Sequence, residues 1–343
     1  MSAMTESRLK DEIKTGSLSG TYFLYGEEGF LIKKYVREIK ENTVSKTFAD
    51  FNLATFDGAE CPVDDLADFA LSVPMMAPKK CAVIKDFNIE KRSANDVSKL
   101  YDLLSEENSS CVLVFFTDLL EIGKKPSAKW NAFIKKIEEH GKTLFIPFLD
   151  EKELCRTLIS GAKKRDCSLD DRLAEYMVMN CGNSLEVLIN ELDKICSFTG
   201  SGEITKDKLE QTIVKTLTVK VFDMVNAILV KNIDKALGIL DELFYQRQEP
   251  VSILAAISTV YVDIYRARVA VLSGGRAEDI AKIFTYRGTW QLSNADRNGR
   301  KLSKSAARGC LDMIINADEK LKSTNTDKKT VLEELLVRLT CIK

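Results

Sequence analysis

The chain has 343 residues, 45% of them hydrophobic and 29% charged, with a formal net charge of −1. That length supports two or three domains, each able to bury a core. The balanced charge excludes a protein that holds nucleic acid mainly through its overall field, and leaves DNA contact to a local patch or a larger assembly.

The segment from Met1 to Lys14 is polar and charged, so no secretory leader is expected. No apolar run reaches the roughly 18 residues that a membrane helix needs. Tyr22–Tyr25 is an apolar, aromatic run that ends at Gly26, and it reads as a strand followed by a helix through Phe30, Ile32 and Val36. A nucleotide-binding α/β domain places its phosphate loop at such a joint, yet Glu27 and Glu28 stand there. Phe51–Phe56 reads as a second strand, and Leu66, Phe69 and Ala70 give Asp64–Ser72 a helical spacing. Pro74 and Pro78 exclude regular structure from the next stretch, which contains the adjacent pair Met75-Met76. Lys80–Ile84, Cys111–Phe116 and Thr143–Pro147 read as strands and Trp130–Ile137 as a helix. Continuous apolar strands between helices predict a largely parallel sheet covered on both faces.

Strand patterns end near Leu149. Glu151–Lys164 and Asp170–Asn180 have helical periodicity, and Gly182 is a helix stop with a new cap at Asn183 or Ser184. Leu185, Leu188, Ile189, Leu192 and Ile195 form one stripe, Phe198–Gly202 a turn and Thr205–Val214 a short closing helix. An all-helical block begins near Thr216. It holds apolar faces at Val221–Leu229 and Ala236–Phe244, then a long helix opened by Pro250 that ends before Gly274-Gly275. A short helix at Ala277–Phe284 and longer ones at Ser303–Leu321 and Thr330–Leu339 complete it. The expected architecture is multidomain α/β plus all-α: a parallel-sheet domain at 1–148, a small helical domain at 149–215 and a larger one at 216–343.

Few residues offer catalytic chemistry. The single histidine, His140, sits in what reads as a helix C-terminus, where imidazole meets the helix dipole favourably. Nine scattered cysteines with no Cys-x-x-Cys spacing suit buried thiols in a reducing cytoplasm, and a zinc site is not expected. Gly-x-x-x-x-Gly-Lys-Ser/Thr is absent, and Lys33 has no neighbouring hydroxyl. Asp118, after the Cys111–Phe116 strand, stands at the place of an acidic Walker B residue, and reads first as a strand-end or capping residue. No cofactor and no ATP hydrolysis are expected. Basic residues at Lys163-Lys164-Arg165, Arg266 and Arg268 read as solvated faces; the denser group Arg297, Arg300, Lys301, Lys304 and Arg308 reads as a solvated face or as a surface for partner subunits or DNA, and Trp130 and Trp290 as packing residues. On residues alone, Met75 and Met76 read as core or edge filler, since methionine adapts to gaps.

The order of parts resembles the subunits of AAA+ clamp loaders, and five segments resemble the delta-subunit family of the bacterial DNA polymerase III clamp loader. They are Tyr22-Phe23-Leu24-Tyr25-Gly26-Glu27-Glu28; Asn190-Glu191-Leu192-Asp193-Lys194-Ile195; Val221-Phe222-Asp223 with Lys235-Ala236-Leu237; Glu249-Pro250-Val251-Ser252-Ile253-Leu254; and Ala317-Asp318-Glu319-Lys320-Leu321-Lys322-Ser323. The resemblance implies an AAA+-like first domain without a functional P-loop, a helical lid at 149–215 and a collar at 216–343. It also implies a noncatalytic subunit of the polymerase III holoenzyme, in the bacterial cytoplasm. Its partners would be the beta sliding clamp, gamma/tau and delta prime subunits, and primed DNA. In that family the stretch matching Val73, Pro74, Met75 and Met76 enters a pocket on the clamp, with Leu or Phe common where the methionines stand. The rival readings are an AAA+-fold ATPase and a helical scaffold of another complex.

Overall fold

The computed structural model describes residues 4–106, 109–120, 122, 126–213, 215–284, 286, 290–300, 302–323 and 326–342. The chain divides into two compact units, Met1–Phe148 and Leu149–Lys343.

The first unit is a five-stranded, all-parallel sheet with the order β2-β3-β4-β1-β5. Its strands are β1 (Gly20–Gly26), β2 (Leu53–Asp57), β3 (Lys80–Lys85), β4 (Cys111–Phe116) and β5 (Lys142–Ile146). β4 is buried along its whole length and β3 at all but its last residue, as continuous apolar runs in a parallel sheet require. The helices are α1 (Glu6–Thr15), α2 (Gly29–Thr43), α3 (Ala49–Asn52), α4 (Val63–Leu71), α5 (Ala94–Ser105) and α6 (Ala128–His140). One face of the sheet packs an aromatic cluster in which Phe133 meets Phe23, Phe87, Phe115 and Trp130 at ring-centroid distances of 5.4–6.1 Å. Trp130 is thus the packing residue expected.

The expected strand at Phe51–Phe56 is corrected at its start. Phe51 and Asn52 complete the short helix α3, whose last side chain turns back to the Phe48 carbonyl, and β2 begins only at Leu53. Because all five strands run the same way, the features of interest sort to two ends. The turn after β1 lies at the carboxyl end of the sheet. The loop that leads from α4 into β3, and the α3–β2 joint, lie at the amino end.

The second unit begins with α7 (Glu151–Lys163), whose Asp150 and Glu153 form a capping box. α8 (Asp171–Cys181), α9 (Leu185–Thr199) and α10 (Lys206–Thr212) follow. This part is not strand-free: β6 (Cys167–Ser168) and β7 (Gly202–Glu203) form a two-residue parallel ladder. Next come α11 (Leu217–Leu229), α12 (Ile233–Tyr245), α13 (Pro250–Leu272), α14 (Trp290–Gly299), α15 (Lys304–Ser323) and α16 (Lys328–Thr340). Pro250 occupies the first turn of α13, where a missing amide costs nothing. α13 is the axis of this core, burying Ile253, Ile257, Tyr261, Ile264 and Ala267. The expected helix at Ala277–Phe284 is a 3₁₀ segment, Ala277–Lys282. Val214 and Lys301, and the side chain of Trp290, lie outside the described residues. No helix among the described residues is long and apolar enough to cross a membrane.

Candidate functional site

The loop between α4 and β3 leaves apolar side chains in solvent. Val73 is 87% exposed, Met75 51% and Met76 77%, with Pro74 partly buried. Met75 and Met76 are therefore not core filler. Their backbone, by contrast, is fastened from behind. At the loop's start, the buried Lys80 ammonium donates to the Phe69 and Ser72 carbonyls and, at 2.7 Å, to Ser72 Oγ. A cation there meets the carbonyls that the last turn of α4 leaves without helical partners. Burial pulls the Lys80 ammonium below its ordinary pKa. In the middle, Met75 N donates to Asn52 Oδ1 at 2.7 Å, and Asn52 Nδ2 donates to Met75 O at 2.8 Å. Near the end, Lys79 Nζ donates to Leu18 O at 2.6 Å.

Met76 has φ +51°, a left-handed conformation uncommon for a side chain of this kind. Such a residue persists where its surroundings over-determine it, and holding it costs on the order of 1 kcal/mol. Phe51, next to Asn52, is 61% exposed, and Leu71 at the end of α4 is exposed too. The amino end of the sheet thus carries several apolar side chains on a fixed frame. Neither Asn52 nor Phe51 stood out in the sequence; only a buried asparagine 23 positions from its partner distinguishes the first.

The carboxyl end of the sheet is built differently. The amides of Glu27 and Glu28, which follow β1, both donate to Ile146 O, at 2.8 and 3.2 Å. In a phosphate loop such amides point at the ligand. Glu28 is buried at the N-cap position before α2, and Glu27 Oε2 accepts from the Phe148 amide at 3.3 Å. Asp118 takes Lys33 at 2.5 Å and Lys85 at 2.9 Å. Burial alone would raise the Asp118 pKa, but these two ammonium partners outweigh it and hold the carboxyl below its ordinary range. Of the two expected roles, strand end or cap, Asp118 takes the first, as an ion-paired residue just after β4.

A second carboxylate, Asp86, was not singled out in the sequence. It is buried with φ +54°, and its Oδ1 accepts the amides of Asp118, Leu119 and Leu120 at 2.7–3.1 Å. The concave row of amides after β4 is therefore filled by the chain's own carboxylate.

His140 is exposed in the last turn of α6, as expected. Arg165 pairs with Asp193 at 2.5 Å, Arg300 with Asp296 at 2.6 Å, and the Arg266 guanidinium lies 3.8 Å from the Phe284 ring centroid. Seven of the nine cysteines are buried, and all nine are free thiols. Among the described residues no group of His, Cys, Asp and Glu is placed to hold a metal ion.

Comparison with known proteins places this architecture. The family model "DNA polymerase III, delta subunit" matches residues 22–144, and "DNA polymerase III delta subunit, C-terminal domain" matches residues 218–339. DNA polymerase III subunit delta of Bacillus subtilis (strain 168) is 25% identical over 334 residues, covering 95% of this chain and 94% of that protein. A probable DNA polymerase III subunit delta of Aquifex aeolicus (strain VF5) is 22% identical over 256 residues, 71% of this chain and 69% of that one. The solved Bacillus subtilis DNA clamp loader delta protein superposes with a TM-score of 0.74 at 24% identity, covering 97% of this chain and 98% of that one. Two models of one family match in order along most of the sequence, and the fold follows a clamp loader delta protein nearly end to end: the chain belongs to the family of DNA polymerase III delta subunits.

Proposed function

We propose that this chain binds the sliding clamp through Val73, Pro74, Met75 and Met76 and helps to open it for loading on primed DNA, without hydrolysing ATP itself. Membership of the delta family makes it a component of a clamp-loader assembly and so of the polymerase III holoenzyme. The finer reading rests on one observation: two methionines stand in solvent on a backbone that Lys80, Asn52 and Lys79 hold from behind. A solvent-exposed apolar pair on a fixed frame is the form of a docking element, since the frame limits the ordering cost of binding to side chains.

Burying both methionines in a clamp pocket contributes about 3–6 kcal/mol gross. Opening is favoured only by the part of that energy present with the open clamp and missing with the closed one. The exposed Phe51 and Leu71 lie at the same end of the sheet and would widen the contact. On this reading residues 149–215 form a lid and 216–343 a collar, and the partners are the beta clamp, gamma/tau and delta prime in the bacterial cytoplasm.

Lack of hydrolysis is supported by the carboxyl end of the sheet. The amides after β1 are taken by Ile146, and Asp118 is neutralised by two lysines. Direct titration of a bacterial beta clamp with this chain, and with Met75→Ser/Met76→Ser, tests the proposal. Tight binding that the double variant loses is expected, and equal binding by both would refute it.

A further inference from the structure

Asn52 is completely buried, a costly place for a carboxamide unless its polar atoms are all answered. Here they are. Nδ2 donates to Phe48 O at 3.1 Å and to Met75 O at 2.8 Å, while Oδ1 accepts from Met75 N at 2.7 Å. One side chain thus engages both backbone groups of Met75, as a neighbouring strand would. The bond to Phe48 would close α3 by itself, so the pair of bonds to Met75 is an additional function.

The consequence is specific to the next residue. With Met75 N and O both fixed, the peptide plane entering Met76 is fixed as well, and Met76 is the residue that takes the left-handed φ of +51°. Pro78, two positions further on, restricts Ala77 and so limits how that turn can relax. The Met76 side chain is thereby aimed outward, at 77% exposure, by a contact formed from 24 residues upstream.

We infer that Asn52 is the positioning residue of the docking loop: it touches no partner, and it sets the Met75–Met76 backbone in its docking conformation before any partner arrives. This rests on the reading of that loop as the clamp contact. Losing the frame would leave the methionines in place but return an ordering cost to each binding event. Affinity should then fall without any loss of contact surface.

Two measurements test it. In the unaltered chain alone, the Met75 amide should exchange with solvent at least about a hundredfold slower than a free peptide. Exchange at the free-peptide rate would overturn the inference, whatever the clamp does. Second, Asn52→Ala and the milder Asn52→Ser should weaken clamp binding roughly tenfold in chains that still unfold cooperatively. In a Met76→Ala background the same changes should cost measurably less, because one of the two side chains they position is gone. An unchanged affinity in a folded Asn52 variant, or an equal loss in both backgrounds, would overturn it. Should both variants fail to fold, the amide measurement decides. If Met75→Ser/Met76→Ser leaves clamp binding intact, the docking reading itself fails, an outcome separate from both.

Discussion

Gly26 has no room for a side chain beside Ile146: a Cβ at that position would come within 2.7 Å of the Ile146 nitrogen and closer still to its carbonyl oxygen. Gly26 also has φ +138°, which only glycine adopts readily. The glycine that made this turn look like a phosphate loop is required for a different reason, the close approach of β5. Gly26→Ala should therefore destabilise the first unit by about 2 kcal/mol or more, read as a lower urea midpoint. An unchanged midpoint would mean that β5 moves aside freely.

The same closure bears on nucleotide. Ligand present at a hundred times its Kd stabilises a folded protein by about 2.7 kcal/mol, enough to raise the melting temperature by several degrees. Millimolar ATP with magnesium should leave the melting temperature of this chain where it was. A dose-dependent rise would restore the ATPase reading.

Asp118 predicts an acid-dependent loss. Its carboxyl is held below the ordinary aspartate value of about 3.9, so the bonds from Lys33 and Lys85 add stability above that value and lose it as pH falls through the depressed one. Asp118→Asn should cost about 1–2 kcal/mol at pH 7. The gap between variant and parent should narrow steadily below pH 4. Chemical denaturation at a series of pH values checks this, and a gap that does not depend on pH would contradict it.

Phe51 tests the extent of the docking surface. It is largely exposed, so Phe51→Ser should change stability by less than about 0.5 kcal/mol. If the surface reaches beyond the methionines, clamp affinity should fall by roughly three- to tenfold. Unaltered affinity would confine the contact to residues 73–76.

Much of the fold is legible in the sequence because its strands are continuous apolar runs. β1, β3, β4 and β5 lie where those runs are, α9 buries its predicted stripe at Leu185, Leu188, Leu192 and Ile195 with Ile189 partly buried, and α16 buries Val331, Leu332, Leu335, Leu336 and Leu339. The errors have local causes. Phe51 resembles a strand residue, but Asn52 closes a helical turn just before β2. β6 and β7 are two residues each, too short to show an alternation. α5, capped by Ser93 and burying Leu100, Leu103 and Leu104, is an element missing from the expected order. At the candidate site, two prolines isolate the methionines as a loop, and resemblance gives them a role. What holds the loop is not legible: Asn52 and Leu18 are neighbours of it only through the fold, and nothing in the sequence shows that the Lys80 ammonium turns back to the carbonyls of Phe69 and Ser72. Asp86 is hidden in the same way, since a carboxylate that accepts its own chain's amides has no sequence signature.

The equilibrium affinity of Met75→Ser/Met76→Ser for a bacterial beta clamp measures directly whether Met75 and Met76 grip the clamp. The changed side chains are exposed, so the variant should melt at the temperature of the parent chain. With about 3–6 kcal/mol of gross burial removed, its clamp affinity should fall roughly thirtyfold or more. A normally folded variant that binds the clamp as tightly as the parent would contradict the account.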